Sequence, residues 1–348
     1  MRVDYIIVGQ GIAGSMLAWF LLDAGKNVLV IDEFNPHCSS RLASGIINPV
    51  TGKRLVKSWR TDELLPFAKQ TYERLEQALG IHFFTEKKIC RIFSNKEDFQ
   101  FFRQKKDVGE LPGYVKPLDT IPECFTGSSL GGIEISGVYQ VQYPELLSAL
   151  RKFFHEKNML AEEKFEFARL VVESGGVRYK KINASKIIFC EGSYAVKNPY
   201  FRWLPFCLAK GEMLTVMMPG FPEEAIWHKG VFISPLGKSL CRVGSTYEWN
   251  FTDELPSEKG KSELTSRLKK AVLLPFEVVD HVAAIRPTVA DRRPLIGLHP
   301  GYPQLAVFNG LGTKGALLAP FFAQQFTAHL TKGVPLDKEA DIRRFSEK

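Results

Sequence analysis

Three groups of residues in this 348-residue chain have types and spacings that could do chemistry. The first is Gly9, Gln10, Gly11, Ile12, Ala13 and Gly14, which spell G-x-G-x-x-G. In that spacing the first glycine permits a tight turn and the second lets the backbone approach a pyrophosphate. The third lets a following helix pack on the preceding strand. Asp32, eighteen residues beyond Gly14 and followed by Glu33, is placed to bind a ribose 2′-OH. An acid there disfavours a 2′-phosphate, so these residues point to an unphosphorylated adenosine dinucleotide, FAD or NAD.

The second group is Gly310, Leu311, Gly312, Thr313, Lys314 and Gly315, another G-x-G-x-x-G between QLAVFN and ALLAPFFAQQFTAHL. No buried strand or acidic strand end follows, so a second nucleotide fold is not expected. A helix N-terminus with Lys314 beside it has another use. Reduced flavin is negative around its pyrimidine ring, and positive potential there favours hydride acceptance, which makes FAD the better choice. The third group is Arg286, which Pro287 biases toward an extended conformation. Its planar fork could hold a substrate carboxylate bidentately and turn an α C–H toward flavin N5. A protein carboxylate such as Asp291 is the alternative partner.

The elements that must position these residues are legible in outline. Residues 3–33 read as strand, glycine turn, helix, strand and acidic end in one βαβ unit, with a continuous apolar run at residues 5–8. Residues 34–60 read as a long loop at the carboxyl edge of the sheet, where ligands of open α/β folds bind. Ser40, Arg41, Ser44, Gly45 and Asn48 lie in it as donors toward a flat polar ring. Pro66 suits the start of a helix that Gly80 ends, and Pro144 opens another. Residues 165–195 read as strands around a Gly-Gly turn, then a buried strand ending at Glu191 and Gly192 that returns to the first sheet. Two alternating stretches, the second with a helix at residues 262–272, read as an antiparallel layer.

Composition narrows the class. With 45% hydrophobic and 24% charged residues the chain can bury a large core and two domains are expected. No apolar run is long enough to span a bilayer, and no charged-then-apolar leader opens the chain, so a cytoplasmic location is expected. Six scattered cysteines without C-x-x-C spacing fit reduced thiols better than disulfides or a zinc site. The net charge of +8 is mostly dispersed, with a cluster at Lys53, Arg54, Lys57 and Arg60. That cluster is either a solvated basic face or a nucleic-acid contact.

The blocks VDYIIVGQGIAGSMLAWFLLDAGKNVLVIDE, SSRLASGIINP, KIIFCEGSYA, AAIRPTVADRRPLIG and GLGTKGALLAP together resemble FAD-dependent amine oxidoreductases of the D-amino-acid oxidase and glycine oxidase type. The resemblance implies an α/β fold, α+β overall, with a Rossmann-like FAD domain and an inserted antiparallel substrate domain. The boundaries it implies are 1–80, 139–200 and 281–348 for the first and 81–138 and 201–280 for the second. It implies Gly9, Gly11 and Gly14 at the diphosphate and Asp32 at the adenosine ribose, with Ile12, Ala13, Glu33 and Gly192 also lining the cofactor. Ser40, Arg41, Ser44 and Gly45 fall near the flavin, and Gly310, Gly312, Thr313, Lys314 and Gly315 at its pyrimidine side.

Arg286 matches the family's substrate arginine, although Ala284 stands where that block has glycine. Non-covalent FAD is implied, because the attachment patterns of sarcosine-oxidase-like relatives are missing. Tyr247, Trp249 and Tyr139 are pocket candidates. The implied reaction is hydride transfer from a neutral amine, with oxygen or another acceptor reoxidising the flavin. Two alternatives stand beside it. One is the oxidase half of the tRNA wobble-uridine enzyme, acting on carboxymethylaminomethyl-uridine, with the basic cluster on phosphates; the other is a flavin-binding protein without turnover.

Overall fold

The computed structural model describes residues 1–52, 54–127 and 130–345. In chain order it holds β1 (Arg2–Val8), α1 (Ile12–Asp23), β2 (Val28–Ile31), α2 (Ser39–Leu42), β3 (Ile46–Ile47), β4 (Val50–Thr51), β5 (Val56–Lys57) and α3 (Thr61–Leu79). There follow β6 (Phe84–Ile92), α4 (Lys96–Asp107), β7 (Val115–Pro117), β8 (Gly132–Val141), α5 (Tyr143–Glu156) and β9 (Leu160–Ala161). Next come β10 (Leu170–Glu173), β11 (Gly176–Tyr179), β12 (Ile182–Phe189), β13 (Ala209–Met217), β14 (Ile226–His228), β15 (Phe232–Gly237) and β16 (Leu240–Gly244). The chain closes with α6 (Glu258–Ala271), β17 (Glu277–Arg286), β18 (Leu295–His299), β19 (Tyr302–Asn309) and α7 (Gly315–Lys332).

Two sheets organise these elements. The first has the parallel centre β19-β12-β1-β2-β9, extended by antiparallel β10, β11 and β18. Its strands are apolar on both faces because each face carries a core. Tyr5 and Ile7 of β1 and Val28 and Val30 of β2 face α1, α5 and α7, whereas Ile6, Val8, Leu29 and Ile31 face the opposite core. Fully burying Ile6 and Ile7 contributes about 1.5–3 kcal/mol each. Helix α1 packs between the sheet and two other helices, which explains its lack of a polar face.

The second sheet runs β17-β13-β16-β15-β14-β6-β8-β3 with β7 on β8. Both alternating stretches of the sequence enter it. Its long β13–β17 pair places Ala209 opposite Arg286 and Gly211 opposite Ala284. The fold is thus the expected mixed α/β arrangement, a sheet with a parallel centre beside a mostly antiparallel one.

Several details differ from the sequence reading. The third helix starts at Thr61, so Pro66 lies inside it. Asp62 and Glu63 favour the positive helix end, and the Thr61 hydroxyl donates to Ser58 O, so the helix can begin five residues before the proline. Helix α6 likewise begins earlier, at Glu258, because Ser257 caps it by accepting from Gly260 N. The 34–60 segment is not all loop: β3 pairs with β8. Strand β17 carries the second sheet through Arg286, and β8 through Val141, so the boundaries at 281 and 139 fall inside strands.

Candidate active site

The carboxyl ends of β1, β2, β12 and β19 converge on one cleft of about 690 Å³, closed on its far side by β13, β16 and β17. The glycine turn forms one wall. Gly9 has φ +100°, and a Cβ there would come within 2.5 Å of Cys190 O. Gly14 does not line the cleft; a Cβ on it would overlap Gly9 O, so its part is to let α1 pack against the turn. The N-cap of helix α1 is Gly11, which has no side chain to cap it, its first turn has no acid, and Gly11, Ile12 and Ala13 line the cleft; of its first N–H groups Ile12 N is taken by Ser40 Oγ. An acid-free helix start behind a glycine cradle is the environment an FAD diphosphate requires, so the residues present fit that group.

Asp32 stands just past β2. Its Oδ2 accepts from Gln10 N at 2.8 Å, and its Oδ1 accepts from Phe34 N at 2.9 Å and Arg151 Nη1 at 2.8 Å. Oδ2 keeps a lone pair for a hydroxyl donor. Arg151, on α5, is absent from the sequence reading; only the fold brings a residue 119 positions away onto Asp32. Glu33 and Gly192 also line the cleft, and Gly192 O accepts from buried Asn309 Nδ2 at 2.9 Å.

The loop residues divide. Ser40 and Arg41 lie at the glycine-turn end of the cleft. The Ser40 hydroxyl accepts from Ile12 N at 3.1 Å. Arg41 reaches Gln10 Oε1 at 3.4 Å and lies 4.5 Å from the centre of the Phe34 ring. The short helix α2 turns both side chains back over α1. Ser44 and Gly45 line the cleft farther on, where Ser44 Oγ reaches Met213 Sδ at 3.5 Å and Gly45, at φ +64°, lies against the Val141 backbone.

At the carboxyl end of the chain, Gly312, Thr313 and Gly315 line the cleft, whereas Gly310 and Lys314 do not. Gly310 is a packing glycine whose Cβ would come within 2.8 Å of Val289. Lys314 forms the N-cap of α7. Burial, then the nearby cations Arg293 and Arg292, lower its pKa. Helix α7 has no side-chain cap, so its first backbone N–H groups present positive potential at this end.

Arg286 ends β17 and lines the opposite end of the cleft. Its Nη2 donates to Ser245 Oγ at 2.7 Å, with longer contacts of 3.4 Å to Thr246 O, and its guanidinium lies 5.0 Å from the Tyr247 ring centre. Burial lowers its pKa, and Tyr247 opposes that shift. No carboxylate pairs with it among the described residues, and Asp291 bonds Arg344 instead, at 2.9 Å. Gly211 is why the guanidinium fits: a Cβ there would overlap it. A glycine inside a strand marks such a close approach, but which partner approaches depends on the β13–β17 register.

Ser245 and Tyr247, which contact Arg286, line the cleft together with Ser44, Ile46, Asn48, Met213 and Phe232, and the carboxylates that line the same cleft are Asp32, Glu33, Glu163, Glu191 and Glu254. Of the other pocket candidates, Trp249 is exposed and touches Tyr247 edge-on at 4.9 Å, and Tyr139 stacks on Phe84 in the core. Within the basic cluster, Lys57 pairs with Asp62 at 2.7 Å, and Arg60 with Glu63 at 2.7 Å and with Asp337. Arg54 is exposed and Lys53 lies outside the described residues. All six cysteines are free, and among the described residues no helix is long and apolar enough to cross a membrane.

Comparison with known proteins agrees with this geometry. A family described as DAO, FAD dependent oxidoreductase, matches residues 4–329. The chain is 23% identical over 344 residues to glycine oxidase of Bacillus subtilis, covering 91% of this chain and 90% of that one. Over 153 residues it is 28% identical to the tRNA 5-methylaminomethyl-2-thiouridine biosynthesis bifunctional protein of Thiobacillus denitrificans, covering 40% of this chain and 24% of that one. The solved glycine oxidase of Geobacillus kaustophilus superposes with a TM-score of 0.77 at 22% identity, covering 96% of each chain.

Proposed function

The chain belongs to the family of FAD-dependent oxidoreductases, and from that premise we propose that it oxidises the C–N bond of an amino acid or N-substituted glycine. The observation that carries this reading is Arg286, a guanidinium at the cleft end with no carboxylate partner among the described residues. Bound FAD, held without a covalent link, supplies a two-electron acceptor that takes hydride at N5. Gly9, Gly11, Ile12, Ala13, Ser40 and Arg41 hold its diphosphate, Asp32 and Glu33 its ribose, and Gly192, Ser44, Gly45, Gly312, Thr313 and Gly315 the rest. The first sheet with α1, α5 and α7 makes the FAD domain, and the second sheet the substrate domain.

Arg286 pairs with the substrate carboxylate while Ser245 and Tyr247 keep the guanidinium plane oriented. The amine reacts in its neutral form, because an ammonium has no lone pair to stabilise the cation left when hydride departs. Loss of hydride from the α carbon and of a proton from nitrogen gives an imine. Water then releases a carbonyl acid and ammonia or an amine. The electrons pass to oxygen or another acceptor.

The direct test removes the carboxylate from the substrate. Turnover of glycine and sarcosine is compared with that of methylamine and dimethylamine, and the expected loss is at least about a hundredfold. Equal turnover of the two sets would sink the reading. A second expectation concerns Gly211. Gly211→Ala pushes the guanidinium out of its seat, so KM for the amino acid rises about tenfold or more while FAD content stays unchanged. Unaltered KM would show that Arg286 does not meet the substrate.

An N-substituted glycine carried on tRNA is the second reading, supported by the match to the tRNA-modifying relative. The pairing of Lys57 and Arg60 with carboxylates weighs against it, because it leaves little charge there for phosphates.

A further inference from the structure

Beside the glycine turn the cleft holds a carboxylate that no step above uses. Glu191 follows β12 and precedes a short 3-10 helix, Gly192–Lys197. Its backbone N would lie 3.6 Å from a Cβ placed on Gly9, so it adjoins the diphosphate turn. The side chain lines the cleft, and its Oε2 accepts from Asn198 Nδ2 at 2.7 Å, Asn198 being fully buried. Oε1 has no protein donor, and no cation pairs with Glu191 among the described residues. Burial pushes its pKa up to about 7, and the Asn198 bond only partly opposes this.

The ionisable groups packed around it leave it uncompensated. Next to it in the chain, Cys190 is held neutral by burial, which drives its thiol pKa up, and the pKa of Tyr194 on the 3-10 helix is raised as well. Lys197, Glu33, Arg41 and Glu254 share the cleft wall, and none forms an ion pair with Glu191. A diphosphate seated on the turn adds negative charge beside this carboxyl. Like charges in a partly buried site disfavour ionisation, whereas a protonated carboxyl has a hydrogen to donate.

Resting on the FAD assignment, we infer that Glu191 is a cofactor-binding residue that acts in its neutral form, donating a hydrogen bond to an oxygen of the diphosphate–ribose segment of FAD. When it ionises, that donor is replaced by a repelling charge and FAD is held less tightly. The cofactor affinity therefore falls as pH rises through the neutral range. Asn198 is a positioning residue here, because it fixes the carboxyl from behind.

The test follows FAD released from the diluted holoenzyme, by the recovery of free flavin fluorescence, between pH 5.5 and 8.5. The dissociation constant of the wild-type protein is expected to increase about tenfold or more across that range. Glu191→Gln, whose amide donates at every pH, is expected to stay as tight as wild type at low pH and to show a flat profile. Identical pH profiles for the two proteins would overturn the inference. If the glutamine variant does not fold, the wild-type profile still decides, since FAD retention unchanged across the range overturns it too. Protein that retains no FAD at any pH would instead overturn the cofactor assignment, a distinct result.

Discussion

Arg286→Leu is expected to lower kcat/KM for the best amino acid by roughly a hundred- to ten-thousandfold while FAD stays bound. A bidentate guanidinium–carboxylate pair makes two charge-assisted hydrogen bonds, each contributing about 1.5–3 kcal/mol when the partners are shielded from water. Every 1.4 kcal/mol is tenfold. The fold should tolerate the change, because the leucine leaves only the Ser245 hydroxyl and Thr246 carbonyl to find other partners. Arg286→Lys should recover little, since an ammonium cannot form the fork. Steady-state kinetics together with the flavin-to-protein absorbance ratio check this. A variant with normal kcat/KM and normal FAD content would contradict the role given to Arg286.

Gly9→Ala is expected to yield protein purified without FAD. The residue has φ +100°, a conformation that costs a non-glycine residue about 1–3 kcal/mol, and its Cβ would come within 2.5 Å of Cys190 O. The strand ends β1 and β12 would have to part where the diphosphate sits. About 3 kcal/mol lost in a chain of 348 residues lowers Tm by about 4 °C. Gly80→Ala is the control. Gly80 also has positive φ but lies in open space at the end of α3, so it should cost stability without cost to FAD. Equal flavin content in both variants would contradict the cradle.

What could be read from the sequence were features written locally in the chain. The glycine turn, the arginine held extended by Pro287, and the apolar runs of β1, β2, β12 and β19 each lie within a few residues, and Asp32 follows at the spacing that one βαβ unit sets. The features that could not be read depend on partners far apart. Gly211 acquires meaning only when the β13–β17 register sets it against the arginine side chain. Arg151 reaches Asp32 because α5 packs across the sheet end. Pro66 misled because the helix begins at Thr61, where Asp62 and Glu63 favour its positive end, and this proline removes only one intrahelical N–H.

Family membership answers whether the chain is an FAD-dependent oxidoreductase and sets aside the reading without turnover. Arg286, a guanidinium that lines the cleft with no carboxylate partner among the described residues, is what points to a carboxylate-bearing amine. The most direct measurement is anaerobic bleaching of the flavin absorbance by glycine, sarcosine, proline, D-amino acids and carboxymethylaminomethyl-uridine. At least one of these carboxylate-bearing amines should bleach wild-type protein rapidly and fail to bleach Arg286→Leu that carries FAD. A full complement of FAD that none of them reduces would contradict the account.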